Sequence, residues 1–150
     1  MPDKIILPNE FLAIAEEELL QGKSVKVLAD GESMYPFIKG ARDTAEIEPL
    51  PAETPLEKWR VYMFRHKGRY IIHRFIGTRN GSLVMMGDGN LIQKEIVSRE
   101  DVIGVLSRIH KKNGGIKDCS STKWLLTGNL WAVLSPVRRY ILGILRRLNK

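Results

Sequence analysis

The run Tyr70-Ile71-Ile72-His73-Arg74-Phe75-Ile76-Gly77-Thr78-Arg79-Asn80-Gly81-Ser82-Leu83-Val84-Met85-Met86 decides how this chain is read. Residues 70–76 and 82–86 are rich in residues that suit a pleated, half-buried strand. Asn80-Gly81 between them is the dipeptide that most readily takes the positive φ values of a tight hairpin. Two antiparallel strands are predicted. Period-two alternation puts Ile71, His73 and Phe75 on one face of the first strand and Arg74 on the other.

The segments on either side repeat the pattern. Val61-Tyr62-Met63-Phe64 marks a strand over 60–65, and Gly68 turns it into the next. Upstream, 24–29 alternates with Val25, Val27 and Ala29 on one face, and 44–48 reads as a short strand. Three prolines within 49–55 exclude an element interior; this segment is either a wall of a binding groove or a plain connector. Downstream, 102–109 is a last strand. Short strands joined by turns, with no internal repeat, predict an all-β, partly closed barrel over 23–110 rather than an α/β fold.

Flanking segments read differently. Residues 1–22 hold an N-terminal helix, with Asn9 as cap, 10–21 as body and Gly22 as stop. Phe11, Leu12, Ala15 and Leu19 share a face, and Glu16 to Glu18 are expected in solvent. Residues 111–123 read as a polar loop. Residues 124–150 read as a basic amphipathic tail of two helices broken at Ser135-Pro136, with Ser135 as cap and Pro136 as first helical residue.

The chain has 150 residues, enough for one domain with one core, and its 43% hydrophobic content excludes disorder. Its formal charge of +7 suits an anionic partner, and much of the excess follows residue 105. No helix-turn-helix, zinc-finger or RNP-like motif accompanies that charge, so no nucleic acid is expected. Cys119 is the only cysteine. It cannot form an internal disulfide and reads as a tolerated loop residue rather than a reactive thiol. His66 and His110 have no metal-ligating neighbours at suitable spacing, and no Gly-Lys-Ser/Thr phosphate loop is present, so neither metal nor cofactor is expected. No basic-then-apolar leader and no run of ~20 apolar residues is found. A cytoplasmic place, or a peripheral one at a membrane, is expected.

Three motifs carry chemistry. Gly31-Glu32-Ser33-Met34-Tyr35-Pro36 holds a serine on a bend shaped by Gly31 and Pro36. His73-Arg74 lies on the strand described above. Gly87-Asp88-Gly89-Asn90 is a tight turn. Ser-Met-x-Pro, then His-Arg, then Gly-Asp-x-Asn, in that order across about 23–110, resembles the signal peptidase I family of serine peptidases. The likeness is to its Ser–His branch; bacterial members carry lysine where His73 stands. LexA-like self-cleaving proteins share that catalytic domain. The resemblance implies a signal-peptidase/LexA-like partly closed barrel and a serine endopeptidase acting on an extended, leader- or signal-like peptide.

In that reading Ser33 is the nucleophile and His73 its base, within hydrogen-bond reach. Asp88 either orients the imidazole, as a triad carboxylate does, or only closes its own Asx turn. Met34, Pro36, Arg74 and Asn90 match supporting positions. Asp43 resembles an aspartate that braces the nucleophile loop without joining the chemistry. The Ser33 N–H is the natural oxyanion donor.

The chain departs from the family in four places. Relatives carry an N-terminal membrane anchor. Trp59-Arg60 replaces a Gly-Asp pair before the third strand. Lys94 stands where Ser–His members carry a second aspartate, with Glu95 one residue on able to supply the charge. Gly31 replaces a serine that supplies a second oxyanion donor in many bacterial members. Two alternatives follow: a non-catalytic peptide-binding module on the same barrel, or a self-cleaving peptidase. The missing anchor and the basic tail together lead us to expect peripheral contact with an anionic membrane through residues 124–150.

Overall fold

The computed structural model describes residues 5–6, 12–29, 31–40, 42–90 and 92–148. Within them the chain is mostly β: an antiparallel half-barrel sheet with three helices. The strands are β1 (Ile5–Ile6), β2 (Val25–Leu28), β3 (Thr44–Pro49), β4 (Val61–His66), β5 (Arg69–Arg79), β6 (Ser82–Met86), β7 (Glu95–Val97), β8 (Val102–His110) and β9 (Ile116–Asp118). The helices are α1 (Leu12–Leu20), α2 (Thr122–Val133) and α3 (Arg138–Leu148).

The sheet runs β1-β2-β3-β8-β4-β5-β6-β7, with β9 beside β8. Among the described residues only the β1–β2 pair is parallel. The register slips between Glu46 and Ile47, between Met63 and Phe64, and between Phe75 and Gly77. An extra residue bends a strand and increases its twist, which curls the sheet. The Asn80-Gly81 hairpin forms as predicted, with φ of 51° and 81°.

Val61 to Phe64 are all buried because the two faces of β4 meet different cores. Val61 and Met63 join Val25, Val27, Ala45, Ile47, Leu106 and Ile109 inside the half-barrel, sealed by Ala15 and Leu19 of α1. Tyr62 and Phe64 join Phe75, Met85, Val97, Val102 and Val105 on the other side. A third cluster seats Trp131 of α2 and Leu142 of α3 on Tyr35, with Phe37 packed beside it.

Several expectations need correcting. The expected helix cap Asn9, with Glu10 and Phe11, lies outside the described residues. Glu16 is not free in solvent: it accepts the Tyr70 hydroxyl at 2.7 Å and lies 3.0 Å from Arg65. The expected loop at 111–123 contains β9, which pairs β8 from Arg108 to His110. It also contains the start of α2, where the Ser121 hydroxyl caps the Trp124 N–H at 3.2 Å. Ser135 and Pro136 open a single 3-10 turn between α2 and α3 rather than the second helix itself. The strands β1 and β7 were not anticipated, being two and three residues long.

The helical segment is also more than a tail. Trp124 is fully buried in the half-barrel core, edge-on to Phe37 with ring centres 5.8 Å apart. No helix among the described residues is long and apolar enough to cross a membrane.

Candidate active site

Ser33 lies in the loop between β2 and β3. Gly31 takes φ 69°, which favours glycine, and Gly40 has no room for a Cβ against the Gly31 carbonyl. The loop therefore closes on itself at its two ends. Asp43 fastens it further: its carboxylate accepts the Lys39 N–H at 2.8 Å and the Lys111 ammonium at 2.9 Å, and that ammonium also reaches the Phe37 carbonyl at 2.8 Å. The Tyr35–Pro36 peptide is cis. Met34 is buried, and the Asp88 N–H points at its sulfur at 3.5 Å.

The turn 87–90 lies directly against this loop. Gly89 N–H donates to the Ser33 carbonyl at 2.8 Å, and Asn90 N–H to the Gly87 carbonyl at 3.0 Å. A Cβ on Gly87 would collide with the Ser33 carbonyl and stand 2.8 Å from His73 Nε2; one on Gly89 would collide with the Glu32 carbonyl. Both glycines are needed because two backbones meet where no side chain fits. The same contacts bring His73 Nε2 to the loop that carries Ser33.

His73 is buried on β5, its ring edge-on to Phe64. Its Nδ1 lies 2.5 Å from Glu95 Oε1, and Glu95, at the start of β7, is also buried. A carboxylate at Nδ1 fixes the tautomer that carries its proton there and leaves Nε2 as an acceptor. Glu95 therefore holds the position considered for Asp88.

Asp88 is engaged elsewhere. Arg74 Nε and Nη2 donate to its two oxygens at 2.8 and 2.7 Å, and both side chains are buried. The alternation of β5 is the cause, since Arg74 points away from His73 and draws Asp88 with it. Arg74 Nη1 also donates to the Trp59 carbonyl at 2.6 Å, and its guanidinium stacks 4.7 Å from the Trp124 ring centre. Trp59 takes φ 78°, a conformation that glycine adopts freely, at the position where the resemblance expects glycine.

Ser33, His73, Asn90 and Glu95 line one cleft of about 300 Å³. The end of β2 (Val27, Leu28) and Ala29 form one wall; Arg69 to Ile72 form the other. β5 pairs β4 from Arg69 onward but pairs β6 only from Arg74 onward. Its first five residues thus leave one backbone edge free of β6. Among the described residues, the Ser33 N–H has no acceptor and no hydrogen bond joins the Ser33 hydroxyl to His73. The direct bond expected between them is therefore not formed, although both groups face the same cleft.

Other residues of the site were not anticipated. Trp131 donates its indole N–H to the Asp88 carbonyl at 2.8 Å, and Gly128 leaves room for Arg74, whose Nη1 a Cβ there would meet at 2.5 Å. The glycine interrupting an apolar helix was the visible sign of such a close neighbour. Cys119 is buried, and burial pushes its thiol up to about 12. Among the described residues no cluster of His, Cys, Asp or Glu could hold a metal. No family model matches the chain, and no curated protein matches it.

Proposed function

We propose that the chain is a serine endopeptidase of the signal peptidase I kind, with Ser33, His73 and Glu95 as its reacting unit. The observation that carries the reading is the buried Glu95–His73 pair, which leaves Nε2 as an acceptor beside the nucleophile loop. Ser33 Oγ attacks the scissile carbonyl carbon while Nε2 takes its proton. The developing oxyanion meets the Ser33 N–H, and Glu95 stabilises the imidazolium. The imidazolium then protonates the leaving amine, and water hydrolyses the acyl-enzyme by the same route. An extended peptide bound along the free edge of β5 would gain backbone hydrogen bonds of the strand-addition type.

The test is labelling of Ser33 by a fluorophosphonate, with hydrolysis of a peptide library read in parallel. Ser33→Ala is expected to abolish turnover while leaving the melting transition in place. His73→Ala is expected to abolish turnover and also to lower the melting temperature, because it strips the buried Glu95 carboxylate of its partner. Full activity of Ser33→Ala against a peptide that wild type cleaves would sink the reading. The absent Ser33–His73 bond favours one alternative, a peptide-binding module on the same scaffold. That alternative predicts peptide binding without labelling.

Peripheral contact with an anionic membrane belongs to the same reading, on a different surface from the one first expected. Trp124 and Trp131 are buried and unavailable to lipid. Leu126, Leu130, Val133, Val137, Tyr140, Ile144 and Leu148 are exposed at spacings of three or four residues. The sequence from 119 to 150 carries six lysines and arginines and no acidic residue. An apolar helix face beside basic side chains suits an anionic lipid interface.

A further inference from the structure

A second cavity, of about 360 Å³, lies behind the turn 87–90 and between it and the helices. Arg138, at the start of α3, forms part of its wall and is only 5% exposed. No carboxylate of the described residues lies within ion-pair distance of its guanidinium. Among the described residues its Nε has no hydrogen-bond partner, and its Nη2 meets only the Met86 sulfur, at 3.7 Å. The Trp131 ring lies beneath it, 5.8 Å from centre to guanidinium carbon.

A buried cation with no counter-charge is costly and is not kept by packing alone. Asp88 lines the same cavity, but both its oxygens are taken by Arg74. Lys94 lines it too, exposed and without an acidic partner among the described residues. The wall therefore carries Arg74, Arg138 and Lys94 against one carboxylate, a surplus of positive charge around an open space. Ser135 contributes a hydroxyl and Ile92, 86% exposed, an apolar rim. Desolvation already holds the Arg138 guanidinium below its ordinary value, with nearby Asp88 offsetting part of that.

We infer that this cavity is a binding site for a phosphate group, with Arg138 and Lys94 as its ligands. The guanidinium supplies paired donors of the geometry that phosphate oxygens accept, and the lysine a mobile point charge. The cavity exceeds a bare phosphate and has an apolar rim, which suits a phosphate ester better than the inorganic ion. Lys94, a departure from the signal peptidase pattern, has a use here. The inference stands whether or not Ser33 is a nucleophile.

Two arms test it on the full chain, one for free phosphate and one for a lipid headgroup. In the first, inorganic phosphate is titrated at constant ionic strength, with chloride as control, while tryptophan fluorescence and melting temperature are followed. Wild type is expected to saturate and to melt higher. Lys94→Ala should weaken the apparent Kd at least ~10-fold, and Arg138→Gln should remove saturation. In the second, sedimentation is compared with phosphatidylcholine vesicles with and without phosphatidylglycerol. Loss of phosphatidylglycerol-dependent binding in Lys94→Ala assigns the site to a headgroup; saturation by phosphate without that loss assigns it to a soluble phosphate ester. Lys94 is exposed, so its variant carries the test even if Arg138→Gln does not fold. If wild type and Lys94→Ala behave alike in both arms, the site does not exist.

Discussion

The two carboxylates near His73 divide their work by position. Glu95 touches Nδ1, whereas Asp88 is held by Arg74 on the far face of β5. In the peptidase reading, Glu95→Gln should lower kcat by roughly 10²–10⁴-fold with little change in melting temperature, because it disturbs the tautomer and the imidazolium. Asp88→Asn should do the reverse. It leaves the buried Arg74 guanidinium under-compensated and should cost about 3–5 kcal/mol in stability, with kcat per folded molecule far less affected. Denaturant melts and steady-state kinetics on both variants separate the roles; equal loss of kcat in both would reject the division. Cys119 offers a test of pH dependence. Its folded value of about 12 lies above the ordinary 9.0. The folded state therefore keeps a proton that the unfolded state releases as pH passes 9. Stability should fall between pH 9 and 12, and Cys119→Ala should flatten that fall. A thiol-specific reagent at pH 8 should leave the native protein unlabelled and react on unfolding.

Among the elements, α2 is the one whose place changes the expectations most. Read as a tail beside a separate barrel, residues 124–150 would be removable without loss of the barrel. Trp124, however, completes the half-barrel core and stacks on Arg74, and Trp131 holds the Asp88 carbonyl. Trp124→Ala should therefore cost about 3–5 kcal/mol, read in a denaturant melt, and the deletion should unfold the chain. A folded deletion variant would show that α2 is dispensable. Membrane contact has to be probed on the outer face instead. Leu130 and Ile144 are 60% and 59% exposed, so Leu130→Asp with Ile144→Asp should leave the melting temperature nearly unchanged. The double variant should lose sedimentation with anionic vesicles, and wild-type binding should weaken with salt. Unchanged sedimentation would show that this face does not meet lipid.

Across the whole molecule, the β architecture followed from local patterns. Alternation in 24–29, the Asn80-Gly81 turn and the β-favouring run at 61–64 each act over a few residues, and each appears where the sequence places it. Glycines of the turn 87–90 were legible as a turn, but their reason was not. Only the folded chain shows that two backbones meet there. The short strands β1, β7 and β9 escaped because two or three residues carry too little periodicity; pairing with a neighbour defines them. The sequence by itself determined the residue types of the site, the alternation that separates His73 from Arg74, and the amphipathic character of α3. Tertiary structure decided which carboxylate meets which cation, because residues 14 and 22 positions apart are matched by sheet register rather than spacing. It also decided that the tryptophans face inward, since a helical stripe states only that a face is apolar, and packing chooses whether protein or solvent covers it.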